Sequence, residues 1–204
     1  MVVRMNDKET SRVEAFSDGV FGIAMTLLVL EFKVPHIAGE ASQANASLMR
    51  SLLELWPSFV AFVLSFGTIL IMWVNHHGLF KHARRADNRL LFANGFLLLL
   101  VTFVPFPTAV LAAYLDTPAA TTAATFYCAT FVFISLGYYV LFLAIMRHHH
   151  PKDAAAKAVI ARIRRAYLSG FAVYVTATLV SVFNAFAGLA ICCSLWALWI
   201  LRIR

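Results

Sequence analysis

Long apolar runs separated by short polar clusters dominate this chain. Five stretches are nearly free of charge: Phe16 to Val34, Leu52 to Val74, Leu90 to Leu115, Ala123 to Met146, and Tyr167 to Leu201. A helix needs about 20 mostly apolar residues to cross a bilayer, and each of the first four stretches supplies them. The fifth is too long for one crossing, and Asn184 with Gly188 gives a turn signal near its middle, so it divides into two short spans. The pattern predicts an all-α integral membrane protein of six transmembrane helices, forming a single domain over residues 1–204. Pro105 and Pro107 remove backbone donors from the third stretch and predict a kink there. The polar connection from Arg147 to Arg165 is basic and alanine-rich, and its later part predicts a short amphipathic helix along the membrane surface.

Composition agrees with insertion into a membrane. The chain is 61% hydrophobic and 13% charged, against an apolar share of roughly 45–50% in a soluble domain. The net charge of +7 comes from basic clusters between apolar runs, which suits cytoplasmic loops better than a nucleic-acid-binding face. With the amino end inside, the inner segments hold Arg4, Lys8 and Arg12, then Lys81, Arg84, Arg85 and Arg89. They also hold Arg147, Lys152, Lys157, Arg162, Arg164 and Arg165, and finally Arg202 and Arg204. The outer loops hold only Lys33 and Arg50. Fifteen basic residues inside against two outside predict that both termini are cytoplasmic and that the chain lies in the cell membrane. Asp18 interrupts the first apolar stretch, which continues to Pro35, so that stretch reads as a span rather than a cleaved signal. Cys128, Cys192 and Cys193 all lie in apolar runs and read as buried thiols.

Ionisable groups at membrane depth cost about 2.5–3.5 kcal/mol on insertion scales, so each needs an explanation. Ser11 followed by Glu14 has the capping-box spacing and predicts a helix starting at Arg12, with Asp18 roughly 10 Å further along. That is beyond the reach of the first-turn dipole, so Asp18 needs partners. At about 100° per residue, Phe16, Ile23, Leu27 and Leu30 fall within about 60° of one another, while Asp18 points about 140° away from Ile23 and Ser17 about 120° away on the other flank. The apolar stripe therefore faces lipid or a neighbouring helix, or it forms the wall of a pore with Asp18 tied back into its own subunit. Candidate partners are Trp73, Asn75, His76 and His77 in the second span and Asn94 in the third. A network of Asp18, Ser17, a histidine and Asn94 is expected, as a packing clamp or as part of a gate.

The seven histidines do not suggest an enzyme. His36 stands alone, His76, His77 and His82 form one group, and His148, His149 and His150 another. Adjacent histidines diverge around a helix, and no HxxE or ExxH pair accompanies them, so no metal or other cofactor is expected. The run before Pro151 reads as a solvated helix end able to sense pH. Nucleotide loops and nucleophile patterns are absent from the sequence.

The stretch from Arg12 through Phe16-Ser17-Asp18 to Glu31, with its RxxxFSD signature, resembles the first helix of the transmembrane protein 175 family of endolysosomal potassium channels, especially the single-repeat prokaryotic members. Trp73-Val-Asn-His-His77, Leu90-Leu-Phe-Ala-Asn94 and Pro105-Phe-Pro-Thr108 extend the likeness. The resemblance implies a homotetramer in membrane lipid whose first helices surround a central pathway, passing potassium in preference to sodium. It implies a pore constriction at Ile23, with Leu27 and Leu30 on the same stripe and Thr26 adding a hydroxyl layer. Arg12, Phe16, Ser17 and Asp18 would hold the pore helix against the second and third spans, through Trp73, His77 and Asn94. No TVGYG-like carbonyl filter occurs in the sequence. Gly22 departs from the alanine expected at its position. The residues also admit an alternative, a proton-coupled transporter using Asp18 and the histidines.

Overall fold

The computed structural model describes residues 3–36, 43–147 and 154–202. The described chain is all helical: α1 (Val3–Leu27), a 3-10 turn (Leu28–Glu31), α2 (Ala44–Glu54), α3 (Trp56–Phe80), α4 (Asn88–Phe103), α5 (Pro105–Tyr114), α6 (Ala120–Met146), α7 (Ala154–Ser181) and α8 (Ala185–Arg202). This is the architecture that a solvent without hydrogen-bonding capacity demands, since each helix satisfies its own backbone.

Helix boundaries follow local chemistry. Asp87 caps α4, its Oδ1 accepting from the Leu90 amide at 2.9 Å. Pro105 stands at the start of α5, and the continuous third stretch is broken at Val104, where the prolines predict a kink. Pro57 occupies the first turn of α3, where a missing amide hydrogen costs nothing. The second apolar stretch is likewise divided, because its opening residues belong to α2. Ser11 does not start a helix; α1 already runs from Val3. The basic residues after Arg147 form no separate surface helix. Lys157, Arg162, Arg164 and Arg165 lie in the first turns of α7, which continues without interruption into the apolar segment, and Lys152 lies outside the described residues. His148, His149 and His150 lie outside the described residues.

The expected six spans are not supported. Four helical segments among the described residues are long and apolar enough to cross a membrane: Glu9–Glu31, Trp56–Phe80, Asn88–Tyr114 (α4 with α5) and Ala120–Met146. The last apolar stretch does break near Asn184, between α7 and α8. However, α7 commits its opening turns to Lys157, Arg162, Arg164 and Arg165, which leaves only Ala166 to Ser181 before the break. That remainder is about 24 Å long at 1.5 Å per residue, short of the roughly 30 Å hydrocarbon core. The apolar part of α8, residues 185–201, is about 26 Å long on the same count and is also short of the core.

Helix α6 forms the centre of the bundle, packing on α4, α5, α7 and α8. Tyr127, Phe131, Leu141, Phe142 and Ile145 on its surface are almost fully buried. In contrast, α1 packs mainly on α3 and α4, apart from the 3-10 turn that extends it. It is the least buried of the four long spans, with 22% of its window covered against 56% for α6. The α7–α8 hairpin closes on Gly188, where an added Cβ would lie 2.4 Å from Ser181 Cβ and 2.9 Å from the Ala177 carbonyl oxygen.

Those contacts involve backbone and cannot move aside, so Gly188→Ala is expected to cost about 1–3 kcal/mol through overpacking. Thermal unfolding in detergent measures it, and an unchanged midpoint would contradict the close approach.

Candidate functional site

Helix α1 has two unlike faces. Ser17, Phe21, Ala24 and Leu28 recur at helical spacing and are fully buried against the bundle. The other side carries Phe16, Ile23, Leu27 and Leu30, which are 66%, 59%, 40% and 71% exposed. Thr26 is exposed beside them, and its hydroxyl donates to the Ile23 carbonyl at 2.9 Å. The four residues grouped by angle in the sequence thus share an open face, and Ser17 lies on the opposite one.

Three sets of hydrogen bonds fasten the covered side. The Ser17 hydroxyl donates to the Val13 carbonyl at 2.8 Å. Its oxygen therefore accepts from Asn94 Nδ2 at 2.9 Å, and Asn94 Oδ1 in turn meets His76 Nε2 at 2.8 Å. One carboxamide on α4 so joins α1 to α3. Asp18 is half-buried, and its Oδ1 accepts from the Trp73 indole at 2.8 Å. Nearer the basic end, Glu14 Oε1 lies 2.6 Å from His77 Nδ1. The Glu14–His77 side chains are partly open to solvent, so the pair contributes no more than about 1 kcal/mol. The buried Ser17–Asn94–His76 chain matters more, because losing either partner leaves a buried polar group unmatched at a cost of about 1–3 kcal/mol.

The expected residues divide as follows. Ser17 and Asn94 meet directly, while Asp18 is bonded to Trp73 and not to a histidine. His76 is the histidine that reaches Asn94, and His77 pairs with Glu14. Arg12 stays exposed outside these bonds, in an open cleft of about 650 Å³ between α1 and α4 that Glu9, Phe16, Asn88 and Leu91 also line. Asn75 lies elsewhere, on a small cavity between α3, α6, α7 and α8. Glu14 is a partner that sequence reasoning misses, although its signal is in the chain. Glu14 and Asp18 are four apart on α1, Trp73 and His77 are four apart on α3, and two antiparallel helices bring such pairs into register. Among the described residues no cluster of three His, Cys, Asp or Glu side chains could hold a metal.

The endosomal/lysosomal potassium channel family TMEM175 matches residues 12–105, a segment that contains every residue of this fastening. A potassium channel of Chamaesiphon minutus is 42% identical over 197 residues, covering 94% of each chain. This chain belongs to the TMEM175 family. The crystal structure of a lysosomal potassium-selective channel TMEM175 homolog from Chamaesiphon minutus superposes with a TM-score of 0.81 at 42% identity, over 96% of this chain and 98% of that one. A Streptomyces collinus potassium channel is 44% identical over 158 residues, 77% of this chain and 74% of its own. The human TMEM175 endosomal/lysosomal proton channel is 38% identical over 97 residues, 46% of this chain and 19% of its own. The family consists of ion channels rather than enzymes, and the long apolar helices make this member a multi-pass membrane protein.

Replacing Asn94 by Leu removes both bonds of the carboxamide at once and is expected to destabilise the folded chain by about 1–3 kcal/mol, whereas Trp73→Phe, which removes a single bond, costs about 1 kcal/mol. Equilibrium unfolding in detergent checks the order. Asn94→Leu as stable as wild type would contradict the bonding scheme.

Proposed function

We propose that this protein is a potassium channel in which four copies surround a central axis and present the open face of α1 to it. The supporting observation is that face itself: a row of apolar side chains left uncovered on a helix whose opposite side is fastened by polar bonds to α3 and α4. The number four comes from the family resemblance. In this reading Ile23 forms the narrowest ring, with Leu27 and Leu30 above it, and an ion passing the ring must shed water.

Potassium releases its hydration water more readily than sodium, so a dehydrating ring favours potassium without a carbonyl filter. The Thr26 hydroxyl donates its hydrogen bond to the Ile23 carbonyl, which leaves its oxygen lone pairs as acceptors for the cation. Phe16 continues the wall toward the basic end. Ser17, Asp18, Trp73, Asn94 and His77 act as positioning residues that fix the rotation of α1, and Arg12 lies at the mouth. Potassium is the permeating ion and not a cofactor. In this reading the chain sits in the cell membrane among lipid with both termini on the cytoplasmic side, which the basic residues between the apolar runs support.

Purified protein in liposomes is expected to pass potassium down its gradient, faster than sodium, in particles with the mass of four chains. Ile23→Asn is expected to raise the flux and reduce the preference. Absence of flux in both proteins would overturn the proposal. Accumulation of potassium against its gradient under a proton gradient would favour a proton-coupled carrier instead.

A further inference from the structure

Among the described residues, Nδ1 of His76 is the one buried side-chain nitrogen or oxygen with no hydrogen-bond partner in the protein. The residue is 0% exposed. Its ring is stacked on Phe80 with centroids 4.4 Å apart and tilted against Phe21 at 5.3 Å. The direction of the neighbouring bonds assigns its proton. Ser17 gives its hydrogen to Val13, so it accepts from the Asn94 amide group, and the Asn94 oxygen must face a donor. That donor is His76 Nε2–H, which leaves Nδ1 as a bare lone pair between two aromatic rings.

We propose that Nδ1 of His76 is a proton-binding site, and that a proton taken there loosens the bonds by which α3 and α4 hold α1. A neutral imidazole suits the box. A protonated one keeps its bond to Asn94 but gains a second N–H and a charge with no acceptor in place, a costly arrangement in a low-dielectric interior. The ring faces of Phe80 and Phe21 offset only part of that cost.

The charged groups facing His76 are few. Asp18 and Glu14 on α1 attract the proton, and His77 on its own helix repels it. From α4 the facing group is the neutral Asn94. Both carboxylates already have partners, Trp73 for Asp18 and His77 for Glu14. A proton on His76 therefore competes for acceptors that hold α1 in position, and the seam between α1 and α3 must shift to supply one. The open or unfolded chain takes the same proton in water without this cost, so acid favours the loosened state and the seam is firmest when His76 is neutral. This site belongs to the single chain. Only its last consequence, that acid alters ion passage, rests on the proposed pore.

Two readouts independent of ion flux test the site. Nitrogen-15 NMR of histidine-labelled protein in detergent, with the His76 signals identified through His76→Gln, is expected to show a protonated Nε2 and an unprotonated Nδ1 at neutral pH. On acidification Nδ1 takes up a proton as the thermal midpoint falls. The glutamine side chain would keep an amide donor for Asn94 but has no titrating nitrogen, so His76→Gln is expected to lose less of its midpoint in acid than wild type. His77→Gln is expected to retain the wild-type loss. A neutral ring protonated on Nδ1, an Nδ1 that stays bare until the protein unfolds, or an equal acid loss in wild type and His76→Gln would each overturn the proposal. Where His76→Gln does not fold, the signals left after assigning the other six histidines by their own glutamine variants decide alone.

Discussion

A polar side chain placed at membrane depth must find its partner inside the protein, because lipid offers none. On α1 that requirement falls on Ser17 and Asp18, adjacent residues about 100° apart on the helix. Their partners come from two different helices, Asn94 on α4 and Trp73 on α3, so the two bonds act like two pins through a rod. One pin would allow rotation, whereas two fix it. Once Ser17 and Asp18 are fastened, helical geometry leaves Phe16, Ile23, Leu27 and Leu30 with nowhere to point but outward. The open face of α1 is a consequence of its buried polar bonds as much as of its own apolar residues.

This division of labour separates what holds the helix from what the helix presents. The bonds beneath it are short, specific and intolerant of substitution, since each leaves an unmatched group when broken. The face above consists of side chains whose chemistry is interchangeable at constant size. A dehydrating ring of branched carbon needs precision in radius and rotation but no directed polar groups, and the rotation is supplied from behind. In the proposed channel, ion preference is therefore set through helix placement, which contrasts with filters built from rows of backbone carbonyls.

Much of this was legible from the residues. Angular spacing alone grouped Phe16, Ile23, Leu27 and Leu30 and set Asp18 and Ser17 apart from them, because the periodicity of a straight helix is independent of what packs on it. The helical class, the prolines that break the chain at Val104 and the turn near Asn184 were likewise readable. Exact partners were not. His76 and His77 are neighbours, and only the rotation of α3 decides that the first meets Asn94 and the second Glu14. The span count failed for a length reason. Hydropathy saw one long apolar stretch from Tyr167 onward, but the break after Ser181 leaves each half shorter than a membrane core, with the charged start of α7 unable to make up the difference.

The most direct measurement is the reactivity of position 23 toward a charged, water-soluble thiol reagent. In reconstituted Ile23→Cys channels the reagent should modify the new thiol and abolish potassium current, while wild-type channels, whose three cysteines are largely covered, stay unaffected. A thiol at that position that resists the reagent, or reacts with no loss of current, would contradict a water-filled axis lined by α1.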